Sequence, residues 1–282
     1  MPHAMEEGTL SGPESVGAGQ VALVTGAARG IGRQIAITLA KYGYRMGLVD
    51  KLSDELAVTA EHIARMGGEV VTVTGDVTDP ENVEHCCDTV EKCFDPVDVL
   101  VNNAGYAGRF GCFAETDPDD WWEVMTTNVR GPMLFCRRLV PAMLERGHGY
   151  VVNINTRVAV RDDAPTFSAL AASKAALSRF TGALALETAG RGVVVVDLNP
   201  GMVRTAMTEQ RPDYDTIPDR AFLPVTVGAK AVAALVSGRY DGLHGRFVHA
   251  RDDLDALVGA VADDPRARVL RFGSAGPGDL VG

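Results

Sequence analysis

The sequence predicts a doubly wound α/β fold, in which helices cover both faces of a parallel β-sheet. Short runs of Val, Leu and Ile alternate with helical stretches through most of the 282 residues, and this alternation is typical of a parallel sheet that is buried on both faces. A glycine-rich turn, Thr25–Gly32, joins the first apolar run to a helical pattern. An acid, Asp50, ends the next apolar run. We therefore expect about seven strands with helices on both faces, and a ligand site where the first strands end.

Each predicted strand is a short apolar run, and the predicted helices lie between these runs. In the first helix Ile31, Ile35 and Leu39 recur at helical spacing, and the prolines at Pro80 and Pro118 are helix-start signals. The predicted strands are Val21–Val24, Arg45–Val49, Val70–Val73, Val97–Val101, Tyr150–Ile154, Val193–Leu198 and Gly245–His249. The predicted helices are Gly30–Tyr42, Ser53–Met66, Asp79–Cys93, Asp119–Glu145, Thr166–Ala189 and Thr226–Ser237.

Length and composition predict one domain. A chain of this length with 46% hydrophobic residues can bury a full core as a single unit. We assign residues 20–262 to that domain. The segment 1–19 contains acids, Gly, Ser and Pro and is expected to be a disordered tail, and the segment 263–282, rich in Gly, Pro and charge, is expected to be a C-terminal tail.

Charge and hydropathy exclude several functional classes. A formal net charge of −10 argues against binding to nucleic acid or to an acidic membrane surface, and no apolar run is long enough to span a membrane. The N-terminal segment lacks the apolar stretch of a signal peptide. The five cysteines show no CxxC spacing, so we expect free thiols in a reducing cytoplasm and no bound metal.

The glycine-rich turn predicts a dinucleotide site. Gly26, Gly30 and Gly32 follow a strand and open a helix, which is the context that separates a nucleotide-binding turn from an ordinary glycine-rich connection. Glycines let the backbone approach a pyrophosphate, and the helix N-terminus offers free N–H groups to the anion. Arg29 and Ile31 stand between these glycines and are expected to contact the same ligand.

Asp50 is the predicted determinant of cofactor choice. A carboxylate at the end of the second strand accepts hydrogen bonds from the adenosine ribose hydroxyls and repels a 2′-phosphate, which favours NAD(H) over NADP(H). Arg29 and Lys51 act against this preference, because either side chain can attract a phosphate. The alternative role of Asp50 is to cap a helix.

Further motifs in a fixed order extend the pattern along the chain. They are Thr25-Gly26-x-x-x-Gly30-x-Gly32, Asp76-Val77, Asn102-Asn103-Ala104-Gly105, Thr127-Asn128-Val129, Ser173-Lys174-Ala175-Ala176 and Asn199-Pro200-Gly201-Met202-Val203-Arg204-Thr205. Through them the stretch from Gln20 to His249 resembles the classical short-chain dehydrogenases/reductases. The resemblance implies a Rossmann fold and a nicotinamide dinucleotide as cofactor.

The resemblance also implies which residues hold that cofactor. Asp76 and Val77 would hold the adenine, Asn103 with Ala104 would pack on its ribose, and Lys174 would bind the nicotinamide ribose. Val203 and Thr205 would anchor the carboxamide. The other residues expected at the cofactor are Gly26, Arg29, Gly30, Ile31, Gly32, Asp50, Gly105, Pro200, Gly201, Val203 and Thr205.

The same resemblance implies a catalytic set of Asn, Ser, Tyr and Lys, from which this chain departs. Asn128 and Lys174 match, and Thr156 stands where the Ser is expected and can still donate a hydroxyl hydrogen bond. Leu170 stands at the position expected to hold the Tyr, four residues before Lys174. Side chains at i and i+4 are neighbours on a helix, so the ammonium of such a pair lowers the pKa of the phenol. Leucine has no proton to give.

Other groups are candidates for the missing proton donor. An aspartate in the loop after Thr156 can act as an acid if burial raises its pKa, an arginine there can stabilise an oxyanion, and a lid can bring a phenol inward. The residues concerned are Arg157, Arg161, Asp162, Asp163 and Tyr214. A water on Lys174 or Thr156, or a substrate that forms its own stabilised anion, are the remaining alternatives. A charged loop of this kind is otherwise simply solvated.

Three functions follow from this pattern. The favoured one is an oxidoreductase that transfers hydride between NAD(H) and a carbonyl, hydroxyl or conjugated group of an apolar small molecule, with a non-standard proton donor. The second is a non-redox enzyme, such as a dehydratase, isomerase or cyclase, and the third is a catalytically silent nucleotide-binding subunit. The resemblance also implies a homodimer or homotetramer built on the helices Asp119–Glu145 and Thr166–Ala189.

Overall fold

The computed structural model of the chain describes residues 17–160, 165–211 and 213–269, and it confirms the doubly wound α/β fold. The strands are β1 Val21–Thr25, β2 Arg45–Asp50, β3 Val70–Thr74, β4 Val99–Asn102, β5 Gly149–Ile154, β6 Val193–Asn199 and β7 Phe247–His249. In the described residues they form one parallel sheet of seven strands in the order β3-β2-β1-β4-β5-β6-β7. The order changes direction between β1 and β4, and sheets of this kind bind ligands beyond the carboxyl ends of the strands at that point.

The helices cover the two faces of the sheet. They are α1 Gly30–Lys41, α2 Ser53–Arg65, α3 Pro80–Cys93, α4 Pro118–Met125, α5 Gly131–Arg146, α6 Ser168–Thr188, α7 Val225–Leu235 and α8 Leu254–Asp263. Side chains alternate along β1: Ala22 and Val24 join a core beneath α1, α2, α7 and α8, whereas Val21 and Leu23 join a core beneath α3, α5 and α6. Both cores are apolar, as burial on both faces of a parallel sheet requires.

Helix α8 is absent from the sequence prediction. Its first turn is capped by the side chain of Asp253, which accepts a hydrogen bond from the main-chain N–H of Ala256 at 3.0 Å. Only Leu257 and Val261, one turn apart, are buried. Leu254 and Val258 pack partly buried against the same core, so the apolar residues recur at helical spacing in the sequence and the prediction overlooked them.

The single helix predicted over Asp119–Glu145 is wrong. Helix α4 ends at Met125, a π-helical turn follows over Thr126–Arg130, and α5 begins at Gly131. Asn128 lies in this turn, where its side chain bonds the backbone of the loop that follows β4. A π-helical turn inserts an extra residue into a helix and frequently marks a functional site, so the break turns one side chain inward.

The terminal segments are described in part. The predicted N-terminal tail 1–19 enters the described residues at Gly17, and the C-terminal segment 263–282 is described as far as Val269. In that C-terminal part the carbonyl of Arg268 accepts a hydrogen bond from the N–H of Phe247 at 2.9 Å, so the chain returns to β7. No helix of the described ranges combines the length and the apolar character that crossing a membrane requires.

Candidate active site

The loops that follow β1 and β4 are hydrogen-bonded to each other at the switch point. The hydroxyl of Thr25 accepts from the main-chain N–H groups of Asn103 and Ala104, both at 3.1 Å. The side-chain amide of Asn103 donates to the carbonyls of Thr25 and Gly26 at 2.9 and 3.0 Å. These bonds hold the glycine turn in one conformation and form one wall of a crevice.

The glycine turn leaves room that no other residue would leave. Gly26 has a φ of +66°, and a Cβ on Gly32 would lie 2.1 Å from the Gly26 carbonyl oxygen. At the start of α1, Arg29 provides no side-chain cap and the first turn carries no acid. Ile31 is half-buried behind it. The N–H groups there are thus presented to an anionic group, which fits a pyrophosphate.

Asp50 is fixed beside this turn. One carboxylate oxygen accepts from the N–H of Ala28 at 2.9 Å, and the other accepts from the N–H of Leu52 at 3.1 Å. The second bond fixes Leu52, the residue that precedes α2. Asp50 therefore also supports the start of this helix, as the alternative prediction proposed in part. The Asp50 carboxylate is therefore held beside the glycine turn, where it could accept hydrogen bonds from a ribose. The exposed side chains of Arg29 and Lys51 lie close to these elements in the sequence.

The ends of β3 and β6 add two further segments. After β3, Asp76 is exposed and its side chain accepts from the N–H and the hydroxyl of Thr78 at 2.8 Å, whereas Val77 is buried. After β6, the chain passes through Pro200 and Gly201. The methyl of Thr205 then lies 3.4 Å from the Cβ position of Gly30. The segment after β6 therefore reaches back to the glycine turn.

Three residues of the segment after β6 are held in place by its fold. Gly201 has a φ of +81°, and its N–H donates to the side chain of Asn199 at 3.0 Å. Val203 is 3% exposed. Thr205 forms a compact turn with Thr208, whose hydroxyl accepts from the N–H of Thr205 at 2.9 Å.

Asn128 joins three elements at the centre of the site. It is fully buried, and its amide donates to the carbonyl of Tyr106 at 2.8 Å and to the hydroxyl of Ser173 at 3.0 Å. Its oxygen accepts from the N–H of Tyr106 at 2.9 Å. A Cβ on Gly105 would lie 3.2 Å from that oxygen and 3.9 Å from Nζ of Lys174. Asn128, Gly105 and Lys174 are thus brought together.

Lys174 is a buried cation at the carboxyl edge of β5. Its ammonium donates to the carbonyl of Ile154 at 2.8 Å, and the residue is 8% exposed. Burial lowers the pKa of Lys174 to about 8, and the charge of Asp197 opposes that change. An ammonium with such a pKa is charged at neutral pH and can release its proton at mildly alkaline pH.

Leu170 and Thr156 flank this ammonium. Leu170 lies on α6 one turn before Lys174 and is 8% exposed, and its carbonyl accepts from the hydroxyl of Ser173 at 3.0 Å. Thr156 follows β5 and is half-buried. Its N–H donates to the side chain of Asn155 at 2.8 Å, and its hydroxyl accepts from the N–H of Val158 at 3.5 Å and so caps the short turn that follows.

The candidate substitute donors differ in their placement. Arg161, Asp162 and Asp163 lie outside the described residues, and Arg157 is exposed in a short turn. The oxygen of Tyr214 accepts from the guanidinium of Arg204 at 3.0 Å. Arg204 also lies over the ring of Phe222 at 4.1 Å, so this phenol packs with Arg204 and Phe222 in the segment that follows β6.

A second phenol near the site escaped the sequence interpretation. The hydroxyl of Tyr106 donates to Asp120 at 2.6 Å, and this hydrogen bond raises the pKa of Tyr106 to about 12. Such a phenol is a poor acid at neutral pH. Its position directly after Gly105 in the Asn102-Asn103-Ala104-Gly105 motif was the available signal.

A buried carboxylate also escaped the sequence interpretation. Asp197 lies within the valine-rich strand β6 and is 2% exposed. An acid inside an apolar run was the signal, because buried carboxylates require partners. As for metals, the described part of the chain contains no group of three His, Cys, Asp or Glu side chains arranged to hold an ion.

Known proteins share this arrangement. A family profile described as short chain dehydrogenase matches residues 20–215. The short chain dehydrogenase pigC of Monascus ruber is 32% identical over 85% of this chain and 81% of that protein, and 2-(R)-hydroxypropyl-CoM dehydrogenase of Xanthobacter autotrophicus is 35% identical over 77% and 88%. Among solved structures, actinorhodin polyketide ketoreductase with NADPH is 31% identical with a TM-score of 0.77, covering 82% of this chain and 95% of that one. NAD+-bound xylitol dehydrogenase is 26% identical with a TM-score of 0.76, covering 82% and 97%.

Proposed function

The chain belongs to the short-chain dehydrogenase family, and from that premise we propose that it transfers hydride between NAD(H) and a carbonyl or hydroxyl group of an apolar small molecule without a phenol as proton donor. The observation that carries the proposal is the convergence of Gly105, Asn128 and the ammonium of Lys174 beside the glycine turn. When bound, the nicotinamide supplies a hydride to a carbonyl carbon or accepts one from a carbinol carbon.

The residues of this chain would hold the cofactor along the carboxyl edge of the sheet. The N-terminus of α1 would bind the pyrophosphate, Asp50 would bind the adenosine ribose, and Lys174 would bind the nicotinamide ribose. The loop fixed by Thr25 supports this placement. The full set proposed is Gly26, Arg29, Gly30, Ile31, Gly32, Asp50, Asp76, Val77, Asn103, Ala104, Gly105, Lys174, Pro200, Gly201, Val203 and Thr205.

The proposed catalytic residues are Asn128, Thr156 and Lys174. Asn128 fixes the loop after β4 against α6 through its bonds to Tyr106 and Ser173. The Thr156 hydroxyl would donate a hydrogen bond to the substrate oxygen, which stabilises negative charge that develops there. The ammonium of Lys174 stands one turn from the apolar side chain of Leu170. An apolar substrate fits beside a leucine at this position.

Names of similar proteins support carbonyl or hydroxyl chemistry. Two solved neighbours are described as reductases, actinorhodin polyketide ketoreductase and levodione reductase, the latter 26% identical with a TM-score of 0.78. Exposed apolar side chains on α4 and α5, Trp122 and Met133, support assembly as a homodimer or homotetramer through this region.

The function is tested by titrating the protein with NADH and NADPH, followed by fluorescence, and by measuring nicotinamide oxidation with a panel of apolar ketones. Oxidation that equals the alcohol formed supports the proposal. Product without net nicotinamide oxidation would indicate a non-redox enzyme on this fold. Tight binding without any product would indicate a nucleotide-binding subunit, and absence of binding would refute the cofactor assignment.

We expect Asp50→Ser to lower the preference for NADH over NADPH roughly tenfold or more, as the loss of one charged hydrogen bond predicts. Removing the carboxylate removes both a ribose acceptor and the repulsion of a 2′-phosphate. The two dissociation constants are measured by the same fluorescence titration. Lys51→Ala is the control, since it should weaken NADPH alone. An unchanged preference in Asp50→Ser would exclude Asp50 as the determinant.

A further inference from the structure

A buried anion lies beneath the helix that carries Lys174. Asp197 of β6 accepts three hydrogen bonds: from the hydroxyl of Ser178 at 2.5 Å, from the hydroxyl of Thr181 at 2.6 Å and from the side-chain amide of Asn155 at 3.1 Å. Burial raises the pKa of Asp197 to about 6, and these donors act in the opposite direction. The group is therefore ionised at neutral pH although it lies in the interior.

Asp197 ends a row of polar side chains that crosses the sheet. Asn102, Asn153 and Asp197 are neighbours in the register of β4, β5 and β6. The amide of Asn102 donates to Asn153 at 2.8 Å, and the amide of Asn153 donates to Thr181 at 2.8 Å. Buried polar groups of this kind are retained when each finds a partner. A buried charge requires, in addition, an opposite charge.

The buried cation linked to Asp197, through the amide of Asn155, is Lys174. Three arginines also border the cleft beside Asp197, one on α6, one directly before β7 and one after α8. Arg179 is exposed, Arg246 is half-buried and donates to the carbonyl of Pro265, and Arg268 forms an ion pair with Asp252. Strand β5 contributes neutral amides only, at Asn153 and Asn155. The positive charge of Lys174 favours the ionised form of Asp197 and so lowers the pKa of this carboxyl group.

The anion and the cation are also joined through the backbone. The amide of Asn155 donates to Oδ2 of Asp197 and to the main-chain carbonyl of Lys174, both at 3.1 Å. At the end of the Lys174 side chain, the ammonium donates a hydrogen bond to the carbonyl of Ile154. On the crevice side Lys174 faces Gly105 and Asn128, which are neutral, and the nearby phenol of Tyr106 is bonded to Asp120. Among the carboxylates of the described residues, Asp197 is the one linked to Lys174 through the amide of Asn155.

We propose that Lys174 is itself the proton donor of this site and that Asp197 is the positioning residue that keeps it in the ammonium form. The inference rests on the proposed function and identifies the group that replaces the phenol. In reduction, hydride adds to the carbonyl carbon and the carbonyl electron pair moves to oxygen. An N–H bond of the ammonium breaks as the O–H bond of the alcohol forms. The nicotinamide is oxidised, the carbonyl is reduced, and Lys174 regains its proton from water.

The proposal fixes the direction of the pH dependence. The ammonium is the acid in reduction, so the rate of reduction should fall as pH rises through about 8, the pKa of Lys174. The neutral amine is the base in oxidation, so the rate of oxidation should rise over the same range. Removing the charge of Asp197 destabilises the ammonium and lowers the pKa of Lys174. The pH dependences of the reduction rate and of the oxidation rate should therefore both move to lower pH.

The test is an NMR titration of protein labelled with 13C-lysine, which needs neither cofactor nor substrate. The signal of Lys174 is the one that disappears in Lys174→Arg. The other lysines, all exposed, provide the reference: Lys41, Lys51, Lys92 and Lys230. We expect the Lys174 midpoint near pH 8, below the ordinary pKa of a lysine side chain, about 10.4. Asp197→Asn should lower that midpoint by about one pH unit.

Two variants control this titration. Asp197→Ser also removes the charge and keeps a hydroxyl group beside the same donors, so it should shift the midpoint the same way, and it serves if Asp197→Asn does not fold. Asp98→Asn removes the same charge at the amino edge of the sheet, where Asp98 accepts from the N–H of Val21, and should leave the midpoint unchanged. A midpoint that is unaltered in Asp197→Asn, or in Asp197→Ser when the first variant does not fold, would overturn the proposal.

Turnover separates this proposal from the proposed function. Lys174→Arg keeps a cation but cannot release a proton at these pH values, so it should still bind NADH while reduction falls by about 10²-fold or more. Reduction by Lys174→Arg at the wild-type rate would exclude Lys174 as donor and leave the oxidoreductase function intact. Failure of the wild-type protein to oxidise NADH would refute the proposed function instead. The NMR titration of Lys174 would still show whether the charge of Asp197 changes the pKa of Lys174.

Discussion

Replacing Leu170 with tyrosine is expected to raise kcat/KM for the reduction of a simple ketone by about tenfold, less than the roughly 10²–10⁴-fold contribution of a first general acid, because Lys174 already supplies a proton. Leu170 lies one helical turn before Lys174, so a phenol there would be a neighbour of the ammonium. A positive charge beside a phenol lowers its pKa and makes it a better proton donor at neutral pH. The measurement is steady-state NADH oxidation with ketones of increasing size.

Leu170→Phe is the matched control for this gain. It introduces the same ring without the hydroxyl, so any change in packing or in substrate fit appears in both variants. Leu170 is 8% exposed, and either ring must displace neighbouring groups to a similar degree. An equal gain in Leu170→Phe, or no gain in Leu170→Tyr despite normal NADH binding, would show that a phenol at this position does not serve as the acid.

Replacing Gly32 with alanine is expected to weaken NADH binding by about 10²-fold and to lower the melting temperature by about 2–10 °C, as overpacking by one methyl group predicts. The added Cβ would lie 2.1 Å from the carbonyl oxygen of Gly26 and 2.4 Å from the side-chain nitrogen of Asn103. Both atoms belong to the hydrogen-bonded junction of the two loops. Relief of the contact must therefore move the backbone that would bind the pyrophosphate.

Gly259→Ala controls for the general effect of replacing a helical glycine. No atom lies within 4 Å of the Cβ position of Gly259 in α8, and alanine in a helix is favoured over glycine by about 0.5–1 kcal/mol. We expect unchanged NADH binding and an equal or slightly higher melting temperature. Normal NADH affinity in Gly32→Ala would show that the glycine turn does not contact the dinucleotide.

The sequence was sufficient for the parts of this protein that depend on local patterns. Apolar runs alternating with helical periods predicted a sheet with helices on both faces, because each element must bury its own apolar side. The glycine turn was predicted at Thr25–Gly32 since only glycine permits the close contacts that Gly26 and Gly32 make. Family membership followed from ordered motifs, which the profile match over 20–215 confirms.

Elements that depend on packing were predicted less well. A helical period continues from Asp119 to Glu145, yet Asn128 bonds the backbone of Tyr106, and the π-helical turn that places it there leaves no mark in the apolar pattern. Helix α8 was missed although Leu254, Leu257, Val258 and Val261 recur at helical spacing. Its stability comes from contact with the first core, which is assembled from distant parts of the chain.

The amino-acid sequence by itself determined which chemical groups the site contains, including the absence of a phenol at Leu170, and which strands and helices carry them. Only the tertiary structure decided that Asp197 is linked to Lys174 through Asn155. The two residues belong to different elements, and their proximity depends on the register of β5 against β6 and on the packing of α6 over both. Removal from water strengthens the interaction between their charges, and burial is a property of the assembled fold. The state of the ammonium is therefore set by the tertiary structure, through groups that no local pattern brings together.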